Sequence, residues 1–434
     1  MPYPQVPDFE RLIEQIRLYS QLRHEQGAKN IRSILKEAEK DLSATLAKLK
    51  KLPIEAKRKN REPDDLENIK PLRPKGDRRL WSQLDKAVYV EKLEGAFLGR
   101  MAGCTLGAPV EFYSIDRMKA LAKENKDPFP PRDYWQYVPS PYLKRYGLSK
   151  RESYTRSKMN GVPVDDDITY TLLGLLIMEE FGPDFSVEDV GKAWLKYLPY
   201  AATAEDIALR NLKRGVPALK AGQTDNPFQA WIGADIRSDP WGYMAPGWPE
   251  KAAELAYRDA YISHRGQGIY GAMYFAAVIS AAFAVDHPIE ALELGLAEIP
   301  RNCALARAVR WALKTAPWIH NFQQAREAVE DQFRGMSPVH AINNACLTIW
   351  GITIGGPDFT RVIGTTVAMG MDNDCTAATA GSIVGAVLGK KGIPLHWYRN
   401  FNNTVHSYLI GKRRFTISGL VKRFTRQAAI VYKI

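Results

Sequence analysis

VPVDDDITYTLLGLL, residues 162–176, sets three carboxylates in a row at the head of an apolar, helix-like run. Like charges this close repel, and each loses solvation if the helix carries it towards a core. One Asp at a helix start is explained as a cap, because free N–H groups and the positive dipole end favour an anion there. Three in succession exceed what a cap needs, and hard divalent cations take oxygen ligands of this kind. A second pair, Asp372 and Asp374, lies more than two hundred residues further on, in AMGMDNDCTAATAGSIVGAVLG (368–389). It too leads into an apolar run. A D-x-D alternation alone marks a metal only weakly, and Asp374 also reads as a cap. The two clusters together carry more weight, because joint ligation would unite distant parts of the chain. Small residues stand at Ala380, Gly381, Gly385 and Gly389; the glycines cost helix propensity, so their density points to close helix packing.

Helical periodicity dominates outward from these runs. It predicts body helices over 86–107, 168–181, 187–199, 203–214, 250–261, 268–285, 288–298, 302–316, 322–334, 338–353 and 376–389. Strand signals are scarce, so the fold class is all-α: a compact multi-helix domain with an N-terminal helical hairpin. The hairpin spans 1–53, with apolar stripes at Leu12, Ile13, Ile16, Tyr19 and Leu22, then at Ile31, Ile34, Leu35, Ala38, Leu42, Leu46 and Leu49. Such stripes must be covered by the body or by another subunit, which makes homo-oligomerisation through the hairpin an expectation. Residues 54–80 are highly charged and read as a linker. The catalytic body is placed at 81–410, with long irregular loops at 112–164 and 221–249. Residues 411–434 read as a basic tail.

The net charge of +12 belongs to the ends. Residues 1–80 carry a net of +6 and 411–434 a net of +7, which leaves −1 for the body between them. A basic tail can contact a polyanion or simply be a solvated surface. Gly266–Val285 is uncharged, but its Gly and Ala content fits a buried helix better than a membrane span. Cys104, Cys303, Cys346 and Cys375 are scattered without C-x-x-C pairs, as in a reducing, cytoplasmic setting. No G-x-x-x-x-G-K-[ST], H-E-x-x-H or G-x-S-x-G motif occurs.

Four ordered blocks resemble the ADP-ribosylglycohydrolase family, which includes the dinitrogen-reductase-activating glycohydrolases. They are GAFLGRMAGCTLGAPVEF (95–112), DDDITYTL (165–172), ISHRGQGIYGA (262–272) and GMDNDCTAATAGSI (370–383). The resemblance spans roughly 86–400 and leaves the hairpin and the basic end uncovered. It implies an all-α fold and a binuclear site, usually Mg²⁺ or Mn²⁺, that binds ribose beside the bond being cut. By position it implies metal ligands at Asp165, Asp166, Asp167, Asp372, Asp374 and Cys375. Glu111 and Asp167 become the expected catalytic carboxylates, and His264 a substrate-side histidine. Gly271 and Asn373, inside the matched blocks, are expected on the substrate side as well. By residue type alone, Glu111 reads as a surface glutamate and His264 as structural. Gly242 and Tyr243, in GYMAPG, are read either as a diphosphate-approaching turn with a stacking ring or as ordinary packing.

Departures from the family pattern fall at the chemistry. Asp165 replaces a Thr, Ile168 a Thr, Cys104 an Asp, and Cys375 a Thr or Ser. A thiol is a poor ligand for Mg²⁺. The leading functional expectation is a metal-dependent hydrolase of an ADP-ribosyl or related ribosyl N- or O-glycosidic bond. Its partner would be an ADP-ribosylated protein or a small conjugate. A non-catalytic ADP-ribose or nucleotide-binding module, and an oligomerising or nucleic-acid-associated scaffold, are the alternatives.

Overall fold

Each expected body helix forms in the computed structural model, which describes residues 3–138, 144–146 and 148–433. The observed helices are Lys86–Gly107, Asp166–Phe181, Val187–Tyr197, Thr203–Lys213, Pro249–Ala260, Gln267–Ala282, Pro288–Gly295, Ala304–Thr315, Phe322–Gln332, Ala341–Gly355 and Asn373–Leu388. Among the described residues the strand content is two small antiparallel pairs, of which Thr404–His406 with Arg414–Thr416 is the longer. The architecture is all-α.

The chain divides into two units, residues 1–60 and 61–434. The first holds helices Phe9–Glu25 and Ile31–Lys50, and neither contains a buried residue. Asp8 caps the first by accepting from Arg11 N at 2.9 Å.

The second unit is built around one helix pair. Helix Lys86–Gly107 runs antiparallel to Asn373–Leu388 along a seam of small residues. A Cβ added to Gly99 would lie 2.1 Å from the Gly381 carbonyl oxygen, and one on Gly103 would lie 2.0 Å from that of Ala377. Gly95 faces Gly385, and Gly107 faces the Asp374 Cα, at hypothetical Cβ distances of 2.3 and 2.5 Å. Real side chains do not approach this closely, so backbone meets backbone over four turns. The uncharged helix Gln267–Ala282 is buried along its whole length, as its composition predicts. Among the described residues no helix is long and apolar enough to cross a membrane.

Two boundaries differ from the sequence reading. The charged linker expected over 54–80 is, from Arg61 on, part of the body. Glu62 accepts from Ala304 N at 2.8 Å, Asp64 from Gly266 N at 2.7 Å, and Tyr270 donates to the Pro63 carbonyl at 2.6 Å. Arg73 and Arg78 pair with Glu298 at 2.5 and 2.9 Å, and the Glu298 side chain is fully buried. Charge made this strap look solvated, yet its charges are partnered against the body. The basic tail is likewise a helix, Ile417–Val431, started by Thr416 accepting from Gly419 N at 3.2 Å. It buries Leu420, Val421, Phe424, Ala428 and Val431, and Phe424 packs against Phe97 and Tyr243. The apolar stripe sits between the basic residues, so net charge hid a buried face.

The two loops also contain structure. Helix Ile115–Asn125 lies within 112–164, of which 139–143 and 147 fall outside the described residues. Residues 221–249 contain a 3₁₀ turn, Ile232–Arg237, and the short helix Asp239–Met244. Helix Phe359–Ala368 was not expected.

Two measurements test this packing. Gly103→Val should cost at least about 3 kcal/mol in urea unfolding, because the added groups meet backbone that cannot repack. A chain shortened to begin at Trp81 should lose about 3–5 kcal/mol, since it strands the buried Glu298 carboxylate. One beginning at Arg61 should keep its melting temperature, and Glu298→Gln should restore part of the loss in the shorter chain.

Candidate active site

The seam delivers the two acidic clusters to one place. Asp165 caps helix Asp166–Phe181, its side chain accepting from Asp167 N at 3.1 Å. Asp166 and Asp167 sit in the first turn. Asp372 precedes helix Asn373–Leu388 without a side-chain capping bond, and Asp374 lies in its first turn. The Cys375 thiol donates to Asp167 Oδ2 at 3.1 Å, across 208 residues of sequence. Glu111 arrives from the end of the partner helix. The segments are tied by Phe112 N donating to the Met371 carbonyl at 3.1 Å. Phe112 and Met371 both have left-handed backbones, φ 60° and 62°. Bulky residues pay for that conformation, and such strain collects at functional sites.

Three groups of side chains each bring ligand atoms within 4.8 Å of one another: Asp167–Asp374–Cys375, Glu111–Asp372–Asp374 and Asp165–Asp166–Asp167. Asp165, Asp167, Asp372, Asp374 and Cys375 are buried, while Asp166 and Glu111 are half-buried. Burial pushes Asp372 well above the ordinary carboxylate range, and neighbouring Asp374 and Glu111 push it further. Burial also raises Asp167, opposed by Arg100 and reinforced by Asp374 and Asp166. The Asp372 Oδ1 atom is buried without a hydrogen-bond partner. An orphaned carboxylate oxygen among converging acids is the environment a hard cation fits.

These groups open on a cavity of about 210 Å³. Its lining includes Glu111, Asp166, Asp372, Asp374 and Cys375, with Tyr170, Glu205, Trp231 and Ile232 on its wall. Tyr146 also lines it and donates to Asp166 Oδ1 at 2.5 Å.

Sequence reading missed several of these residues. Arg100, fully buried, donates to the Asp167 carboxylate at 3.1 Å and pairs with Asp239 at 2.7 Å. A lone Arg inside the Gly- and Ala-rich run GAFLGRMAG was the signal for it. Glu205 is buried at the cavity wall and accepts from Arg237 at 3.0 Å. In sequence it is an ordinary first-turn acid. Burial pushes Glu205 up to about 7, because Arg237 also serves Asp259 at 2.8 Å and does not offset the desolvation.

The expected substrate-side residues are placed differently. Tyr243 is fully buried, bonding Asp239 and Ser382 at 3.1 and 2.7 Å, with its ring on Phe97 and Phe424. Gly242 leaves room for Ile279, and Gly247 closes the stretch by donating to the Ser280 carbonyl at 2.8 Å. GYMAPG is therefore packing, with no free N–H cradle for a diphosphate. Trp241 packs on Phe185, and Trp248 on Tyr432 and Arg79. Gly271 makes space for Asp235, and Asn373 donates to the Val367 carbonyl at 3.0 Å. His264 is fully buried beside Ser263, 2.8 Å from Nδ1, and does not line the cavity. Burial holds it well below its usual range, with Arg237 and Arg265 adding to the effect.

The fold and the acidic cavity define a class that the comparisons then name. The ADP-ribosylglycohydrolase family model matches residues 85–429, so the chain belongs to that family. An uncharacterized protein of Archaeoglobus fulgidus is 27% identical over 318 residues, covering 71% of this chain and 90% of its own. A solved structure described as an ADP-ribosylglycohydrolase-related protein complex shares the fold, with a TM-score of 0.52 at 20% identity. It covers 80% of this chain and 99% of that one. The family match extends to residue 429, within the helix Ile417–Val431 and beyond the span read from sequence.

Glu205 gives a pH test. Its folded pKa lies above the ordinary 4.5, so its contribution is full below pH 4.5 and is lost as pH rises towards about 7. Urea midpoints of Glu205→Gln should lack this fall, which is on the order of 3 kcal/mol. Parallel curves for both proteins would show that Glu205 does not titrate there.

Proposed function

We propose that this protein is a metal-dependent hydrolase cleaving an ADP-ribosyl or related ribosyl N- or O-glycosidic bond. The observation that carries the reading is the convergence of Glu111, Asp166, Asp372 and Asp374 on one cavity, fed by helices whose own packing holds them there. Family membership supplies the reaction class. Asp166, Asp372, Asp374 and Glu111 are the residues that would hold Mg²⁺ or Mn²⁺, through oxygen ligands suited to either ion. A bound divalent ion supplies Lewis acidity and lowers the pKa of water.

The chain's own groups do the rest. Glu111, half-buried at the cavity, takes the proton of the attacking water. Glu205, raised by burial to about 7 and so part protonated at neutral pH, donates to the leaving group, giving the acid and base pair that glycoside cleavage uses. Asp167 turns both carboxylate oxygens towards Arg100 and Cys375 and fixes the floor. Trp231 and Ile232 wall the cavity and limit water. The substrate is an ADP-ribosylated protein or a small conjugate. The four free, buried cysteines fit a reducing, cytoplasmic setting.

Incubation with a panel of ADP-ribosyl conjugates and Mn²⁺ or Mg²⁺, with products identified by mass spectrometry, tests this reading. Release of ADP-ribose is expected in wild type, with a loss of roughly 100-fold or more in Glu111→Gln. Binding of ADP-ribose without release from any conjugate would instead favour a binding module.

A further inference from the structure

The acidic residues are not equivalent, and Arg100 divides them. Its guanidinium is fully buried among acceptors and carboxylates. Nη2 donates to Asp167 Oδ1 at 3.1 Å and to the Ile236 carbonyl at 2.6 Å. Nε donates to Thr171 at 2.8 Å, and Nη1 faces Asp239 at 2.7 Å. Asp239 is held from behind by the Tyr243 hydroxyl at 3.1 Å. The guanidinium is thus a fixed cation with no free space to swing away. The second oxygen of Asp167 accepts from the Cys375 thiol. Both Asp167 oxygens are therefore satisfied within the protein by a full positive charge and a proton donor. Asp372 differs: its Oδ1 has no hydrogen-bond partner, and it offers an oxygen within 4.8 Å of ones from Glu111 and Asp374.

We infer that this chain takes one divalent ion, on the Glu111–Asp372–Asp374 side, and that Arg100 supplies at Asp167 the charge a second ion would bring. The inference rests on the metal reading given above and departs from the two-ion site that the family resemblance implies. Arg100 is a positioning residue: it holds Asp167 and balances its charge without facing the cavity. A second ion at Asp167 would have to displace a buried ion pair and a thiol proton, and would sit against a fixed positive charge. Cys375 adds to the selection, because its sulfur is a poor partner for a hard ion.

The test counts ions on the full chain, with no substrate present. Titration calorimetry with Mn²⁺ should give one equivalent in wild type. Electron paramagnetic resonance of the loaded protein should show an isolated ion, without the exchange-coupled signal of a pair about 3.5–4 Å apart. Arg100→Met removes the charge at similar length. It should lower the melting temperature without metal, take up a second equivalent of Mn²⁺ and show a larger rise in melting temperature than wild type on adding it. Arg100→Lys keeps the charge and should stay at one equivalent. If Arg100→Met does not fold, wild type and Arg100→Lys still decide the count. Two equivalents or a coupled spectrum in wild type would overturn the inference while leaving the metal reading intact. A single equivalent in folded Arg100→Met would also overturn it, by showing that the arginine charge does not set the count. No uptake at millimolar Mn²⁺ in wild type would remove the metal reading itself.

Discussion

The site depends on how closely two helices approach. Lys86–Gly107 and Asn373–Leu388 meet backbone to backbone because glycine or alanine stands at every fourth position along the seam. Side chains on that line would force the axes apart. The approach fixes the end of one helix against the start of the other, since Gly107 packs on the Asp374 backbone. Glu111 leaves the first helix just beyond this contact, and Asp372 and Asp374 enter the second. The distances among the carboxylates are thus set by helix packing rather than by the carboxylates, which repel one another. Helix starts add their part, because free N–H groups and the dipole soften the cost of gathering anions there.

That cost remains large, and the structure meets it unevenly. Arg100 is drawn into the core to compensate Asp167 and Asp239, and Arg237 to compensate Asp259 and Glu205. Two guanidiniums thus serve four buried carboxylates. Beside the cavity, Asp372 keeps a buried oxygen without a hydrogen-bond partner. The left-handed backbones at Phe112 and Met371 are a further cost accepted at the same edge. Stability has been given up where a ligand can return it.

The outer segments show the same logic at lower stakes. Glu298 is buried under the strap, and Arg73 and Arg78 from the strap neutralise it. The helix Ile417–Val431 covers Phe97 and Tyr243, and Tyr243 in turn holds Asp239, which faces Arg100. The end of the chain is therefore connected by packing to the floor of the site. Tyr243 belongs to this support rather than to substrate recognition.

The sequence by itself determined the helical class, the core helices and the carboxylates of the site. Periodicity reports which face of a helix is apolar, and uncompensated acids in adjacent positions report a need for a cation. Glycine spacing likewise reported close packing, though not its partner. Tertiary structure alone decided which acids meet a cation inside the protein and which face the cavity. Arg100 and Glu205 are ordinary letters in a helix until the fold sets one against Asp167 and the other on the cavity wall. His264, Tyr243 and Gly242 sat in suggestive segments, yet the fold uses them for bracing and packing. The charged strap and the basic end misled for one physical reason: net charge counts residues, whereas burial depends on which face of the segment they occupy and on what lies opposite.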